Sequence, residues 1–307
     1  SGGAGLDCAA AGRPAGPRAN ARGVSLEAAV AAACGSTPRA RQRLLGGCIA
    51  EVYRLDFDDR PPLVAKVAPQ GGLAVEGFML DYLAGQTRLR VPKTRFVSDD
   101  LLLMDYVEND GGRSAAAEAD AAEQLAALHA ISAPAFGFER DTVIGALPQP
   151  NPWTEDWCAF YRDRRLLVMG RVARESGRLP AETHRQLERF CARLEEFIDQ
   201  PPAPGLVHGD VWAGNVLFAT DKTGGRVAAF IDPALYFADP EVEIAYIELL
   251  NTFGTAFHRR YQELRPLRPG YREGRRDVYN LFPLLVHSEI CGPPYAQMVQ
   301  DILTRYG

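Results

Sequence analysis

The sequence predicts an α+β chain in two lobes, a small antiparallel sheet with one main helix followed by a larger, mainly helical part. Three observations carry that expectation. Short β-prone runs dominate residues 41–107 and are punctuated by glycine and proline turns. Beyond Gly111-Gly112 the texture becomes helical. Inside that helical half, short strands at 205–207 and 216–218 bracket a polar loop, and another strand follows at 227–231.

The elements follow in order. Residues 1–22 are rich in Ala, Gly, Pro and Arg without apolar periodicity and are expected to form a flexible arm; they lack the long apolar stretch of a signal peptide. Ser25 is expected to cap a short helix ending before Gly35. Strands are expected at 41–45, 50–57 and 63–68, turning at Gly46-Gly47 and at Asp58-Asp59-Arg60-Pro61-Pro62. Val75, Phe78, Met79, Tyr82 and Leu83 share one helical face, and strands at 95–98 and 101–107 complete a β-β-β-α-β-β lobe over 23–108. In the second lobe, 109–307, Ser114 caps an Ala-rich helix that brings Leu125 and Leu128 to one side. A proline-rich loop at 147–153 leads to helical stretches at about 154–176 and 181–199, and the chain after the three strands is helical with proline breaks.

Composition narrows the function. At 307 residues and 47% hydrophobic, the chain can bury a large core. A net charge of -5 supplies no basic field for nucleic acid or anionic lipid. No apolar run approaches the roughly 18 residues that span a bilayer, so a soluble, cytoplasmic chain is expected. The six cysteines (Cys8, Cys34, Cys48, Cys158, Cys191, Cys291) are scattered without a CxxC pair, which argues against a zinc site or disulfide scaffold and for a reducing compartment.

The chemistry concentrates in His208-Gly209-Asp210-Val211-Trp212-Ala213-Gly214-Asn215 and in Phe230-Ile231-Asp232-Pro233. Phosphoryl transfer needs a carboxylate to accept the hydroxyl proton and oxygen ligands that hold magnesium against the phosphates. Asp210 is the expected catalytic base, with Asn215 and Asp232 as hard oxygen ligands for Mg2+. The Asp-x-x-x-x-Asn spacing matches kinase catalytic loops. Lys66 stands in the apolar strand Leu63-Val64-Ala65-Lys66-Val67-Ala68, where a charge is costly unless paired. Of 34 lysines and arginines only Lys66, Lys93 and Lys222 are lysine, which makes this choice informative. Kinases use such a lysine on the α- and β-phosphates, paired with a helix glutamate. Glu76 is the expected partner and Glu51 the competitor. Backbone amides near Gly46 and Gly47 are expected to cover the phosphates of ATP. The segment Met104-Asp105-Tyr106-Val107 is expected to meet adenine, with Val52, Ala65 and Leu217 packing on its faces. Asp239-Pro240-Glu241 is read as a helix start with Asp239 as cap. His208 is expected to orient the catalytic loop, and His129 to be a satisfied core histidine. Cys48, beside Gly46-Gly47, is read either as a redox-sensitive thiol or as a small turn residue.

These residues resemble the fructosamine (ketosamine) kinase family, relatives of aminoglycoside and choline kinases with the bilobal protein-kinase-like fold. The resemblance spans roughly residues 44–250 and is most specific in Ile144-Gly-Ala-Leu-Pro-Gln-Pro-Asn-Pro-Trp153 with Asp156-Trp157. Val211 and Ala213 replace the more usual Leu and Ser, and the glycine turn has one Gly fewer than many relatives. The resemblance implies phosphorylation of the sugar 3-hydroxyl of ketosamines, free or as lysine adducts of glycated proteins, as a deglycation step. The chain is expected to act as a monomer or homodimer. Trp212, two residues past the base, is expected to stack on or wall off the sugar, with core packing as the alternative. The rival readings are an aminoglycoside- or choline-type phosphotransferase and a catalytically silent nucleotide-binding scaffold. Protein kinase activity is disfavoured, since no Phe-Gly follows Asp232 and no Ala-Pro-Glu closes an activation loop.

Overall fold

The computed structural model describes residues 25–44, 50–222 and 224–306; the expected arm at 1–22 and the Gly46-Gly47-Cys48 turn lie outside them. Ser25 caps α1 (Leu26–Cys34) by accepting the Ala28 N–H at 3.2 Å, and Gly35 ends it at φ 75°. The first lobe continues through β1 (Ala40–Arg43), β2 (Glu51–Asp56), β3 (Leu63–Val67), α2 (Leu73–Gln86), β4 (Thr94–Val97) and β5 (Leu101–Asp105). Its sheet is antiparallel in the order β1-β2-β3-β5-β4, so the near-continuous apolar run of β3 occupies the centre, covered on both faces. Leu63, Ala65 and Val67 join Leu26 and Val30 of α1 in one buried cluster. Val64 and Ala68 pack with Leu73 and Leu80 of α2 and with Leu102 and Met104. The side-chain period of two puts Lys66 on this second face.

The second lobe opens with α3 (Ala115–His129), capped by Ser114 through the Ala117 N–H at 3.1 Å. It continues through β6 (Thr142–Ile144), β7 (Leu147–Gln149), α4 (Trp157–Tyr161), a π turn at Arg162–Leu166, α5 (Leu167–Glu175) and α6 (Ala181–Cys191). Then come β8 (Gly205–Val207), β9 (Val216–Ala219), β10 (Arg226–Phe230), β11 (Tyr236–Ala238), α7 (Glu241–Leu249), α8 (Thr255–Leu264), α9 (Arg276–Cys291) and α10 (Pro293–Tyr306). One core cluster runs through these helices and takes in Met79 and Leu83 of α2, which ties the lobes together.

Several expectations change. Part of the proline-rich loop pairs as the β6–β7 hairpin, with Pro148 opposite Val143, because a two-stranded ladder has open edges where a proline needs no donor. Strand β11 was not expected; it pairs with β8, while β9 pairs with β10. The stretch expected to be helical to residue 199 ends at Cys191 and continues as a short 3-10 turn at Leu194–Glu196. Asp239 does accept the Glu241 N–H at 3.1 Å, but α7 starts one residue later than expected, and the carboxylate also binds Tyr279 Oη at 2.6 Å and Arg268. Cys34, Cys158 and Cys191 are free, whereas Cys291 is disulfide-bonded. Scattered spacing could not foretell that bond, because only the folded approach of two cysteines decides it. Among the described residues no helix is long and apolar enough to cross a membrane.

Candidate active site

The cleft is organised around Lys66. Its Nζ lies 2.7 Å from Glu76 Oε1 on α2 and 2.5 Å from Asp232 Oδ1, which follows β10. Glu76 is therefore the partner, while Glu51 faces Arg43 and Tyr53. Burial opposes the ammonium charge, but the Glu76 and Asp232 carboxylates outweigh it and hold the Lys66 pKa above its ordinary value. Asp232 adopts φ 56°, a left-handed conformation uncommon outside glycine.

The β9–β10 ladder brings the two motifs together. Phe230 pairs with Val216, and the Ile231 N–H reaches Asn215 O at 3.0 Å, so the segments carrying Asn215 and Asp232 run side by side. Asn215 Nδ2 donates to Asp210 O and to Asp210 Oδ2, both at 2.9 Å, which leaves Asn215 Oδ1 outside that pair. Tyr246 Oη donates to Asp210 Oδ1 at 3.0 Å. Burial pushes the Asp210 carboxyl up to about 7, reinforced by the Asp232 and Glu243 charges and opposed by the Tyr246 and Asn215 hydrogen bonds.

The loop carrying Asp210 is held from behind. Glu243 accepts the Gly209 N–H at 2.6 Å and the His208 N–H at 3.3 Å, and it meets His129 Nε2 at 2.8 Å. Burial works against its charge, yet His129 and the Gly209 amide keep the carboxyl below the usual range. His129 also contacts Tyr261 Oη at 2.7 Å and is the satisfied core histidine expected. His208 Nδ1 receives the Asp210 N–H at 3.3 Å, consistent with orienting the loop. Gly209 has φ 88°, and a Cβ there would sit 2.1 Å from Ala234 O, so the close approach of this loop to the segment after Asp232 requires glycine.

The hairpin motif braces that same segment. Gln149 Nε2 donates to Ala234 O at 3.1 Å and to Thr142 Oγ1 at 2.9 Å, and Asn151 Nδ2 reaches Thr142 Oγ1 at 2.7 Å. The fully buried Arg165 binds Pro150 O at 2.9 Å and Asn151 Oδ1 at 2.6 Å, with its guanidinium 4.0 Å from the Tyr236 ring. Trp212 is 37% exposed, so the core-packing alternative fails; its ring lies over Gly214, where a Cβ would come within 2.4 Å.

The sheet register corrects one expectation. Val52 lies opposite Lys66 and shares its face, whereas Ala65 belongs to the opposite face against α1. Val64 shares the Lys66 face instead, and the partly buried Leu217 stands on β9 between the buried Val216 and Phe218. In the connecting segment, the Asp105 N–H binds Lys93 O at 2.9 Å and the Tyr106 N–H binds Pro62 O at 3.1 Å, so both donors are committed within the protein. Glu243 and Tyr246 escaped the sequence reading. The available signal was an acid set between Val242 and Ile244 in an apolar helix.

A five-stranded antiparallel lobe, a strand lysine paired with a helix glutamate, and an Asp–Asn loop facing a second Asp define the protein-kinase-like class of phosphotransferases. The chain belongs to the fructosamine kinase family, which it matches over residues 25–306. It is 33% identical to a probable ketoamine kinase of Synechocystis sp. over 278 residues, covering 86% of this chain and 89% of that one. The solved structure of a candidate fructosamine-3-kinase from Thermobifida fusca superposes with a TM-score of 0.78 at 29% identity, over 91% of this chain and 97% of the other. A thermostable mutant of an aminoglycoside phosphotransferase shares the fold alone, with a TM-score of 0.63 at 18% identity over 92% of this chain and 99% of that one.

Proposed function

We propose that this protein transfers the γ-phosphoryl group of ATP to a sugar hydroxyl of a ketosamine, the 3-hydroxyl by family resemblance, as the phosphorylation step of deglycation in the cytoplasm. The observation that carries this reading is the Lys66 contact with Asp232 across the cleft, beside the Asp210–Asn215 pair, in a chain of the fructosamine kinase family. Residues 23–108 serve as the nucleotide-holding lobe, and 109–307 carry the catalytic loop and the substrate.

Each residue acts through its chemistry. Lys66 offers a compact ammonium, held charged by two acids, to the phosphate oxygens. Asp210 accepts the proton of the attacking hydroxyl, and its raised pKa makes it a stronger acceptor than an exposed carboxylate. Asn215 Oδ1 and the Asp232 carboxylate are hard oxygens that fit magnesium. Magnesium, when bound, neutralises charge on the phosphates. Val107 supplies the backbone donor of the 104–107 segment to adenine, since the Asp105 and Tyr106 donors are committed. The exposed Trp212 stacks on the sugar.

The test is ADP release with magnesium across ribulosamine, fructosamine, aminoglycoside and choline acceptors. Turnover on the ketosamines is expected. Turnover confined to aminoglycosides or choline overturns the substrate assignment, and none on any acceptor favours a silent scaffold. The same assay with free and lysine-linked ketosamines shows which form is preferred.

A further inference from the structure

Helix α7 meets the catalytic loop at two points. Glu243 takes the backbone amides of His208 and Gly209. Three residues on, and hence on the same helical face, Tyr246 donates its hydroxyl to Asp210 Oδ1 at 3.0 Å. Asn215 Nδ2 holds the other carboxylate oxygen at 2.9 Å. With one donor on each oxygen, rotation of the Asp210 carboxylate about its Cβ–Cγ bond is blocked from both sides.

We propose that Tyr246 is a positioning residue for phosphoryl transfer, fixing the carboxylate of Asp210 so that its remaining lone pairs face the incoming hydroxyl. Tyr246 is buried, with 5% of its surface exposed, in a helix whose residues from Glu241 to Ile247 are all buried. A phenylalanine would fill almost the same volume without the cost of desolvating a hydroxyl. The hydroxyl at this position is explained by its acceptor, Asp210. A base held within a narrow angular range accelerates proton transfer without tightening substrate binding, so the contribution falls on kcat. The inference rests on the reading of Asp210 as the base.

Tyr246→Phe, made alone and in an Asp210→Asn background, tests it. In the single variant kcat is expected to fall about tenfold or more, the effect of losing a hydrogen bond to a charged group, while KM for ATP and for the ketosamine stays within about twofold. In the Asp210→Asn background the same change should leave the residual rate within about twofold, because the two residues act as one unit. Incorporating 3-fluorotyrosine at position 246, which keeps the hydroxyl, should retain most of kcat, and it remains informative if the phenylalanine variant folds poorly. A kcat near wild type in Tyr246→Phe, a loss appearing in KM alone, an undiminished loss in the Asp210→Asn background, or a fluorotyrosine enzyme as slow as the phenylalanine variant overturns the proposal. Near wild-type turnover in Asp210→Asn alone is distinguishable from these outcomes, and it removes the underlying assignment of the base.

Discussion

Lys66 Nζ lies 2.5 Å from Asp232 Oδ1 although 166 positions separate the two residues in the chain. The contact joins the central strand of the small lobe to the segment after β10 in the large one. A lysine buried between two acids is stabilised in its charged form, and a second acid beyond Glu76 makes the ammonium part of the cleft as well as of the lobe.

Lys66→Arg is expected to keep the charge and lose the function. A planar guanidinium is too long and too wide for the space between Glu76 and Asp232, so kcat/KM should drop by about a hundredfold or more. Steady-state ADP release together with a melting curve checks this. An active, folded Lys66→Arg enzyme means that Lys66 is only a strand residue with acidic neighbours.

Asp210→Asn keeps the shape of the side chain and removes its ability to accept a proton. Turnover is expected to fall by roughly 10²–10⁴ with ATP binding largely kept. Equilibrium nucleotide titration beside kcat separates the two. Parallel loss of binding would assign Asp210 to the nucleotide site.

For Asp232→Ala, the expected result is nucleotide binding that magnesium no longer strengthens, since a charged oxygen ligand is gone. ATP titrations with and without magnesium read this directly. A magnesium-dependent gain equal to wild type would place the metal elsewhere.

Gly209→Ala probes the close approach of the loop to Ala234. The left-handed backbone costs a non-glycine residue about 1–2 kcal/mol, and the added methyl also meets the Ala234 carbonyl. The melting temperature should fall by a few degrees, and kcat should fall with it, because Asp210 is the next residue. An alanine variant with unchanged stability and kcat would show that the loop can shift without consequence.

Much of the site was legible because its residues break local rules. A lysine in an apolar strand, an Asp and an Asn five apart on a polar loop, and an acid closing an apolar strand each carry a chemical cost that suggests a use. Of the four residues named on those grounds, Lys66 contacts Asp232 together with Glu76, its expected helix partner, and Asn215 holds Asp210. Ala65, expected against adenine, lies on the opposite face from Lys66, as strand periodicity requires of a residue one step away. The hairpin signature was legible as a family mark but not as a brace, because its Gln149 acts on Ala234, which lies 85 positions away.

By itself the sequence determined the two-lobed order of strands and helices and the identity of the groups that face the cleft, since both follow from local periodicity and from the cost of placing charge among apolar neighbours. Only the tertiary structure decided how those groups are aimed. Glu243 and Tyr246 reach the loop carrying Asp210 from 34 and 36 positions away. In sequence they look like an acid and an aromatic in an apolar helix. Their partners are set by the docking of α7 against the β8–β9 loop, and that packing depends on contacts spread across the whole large-lobe core.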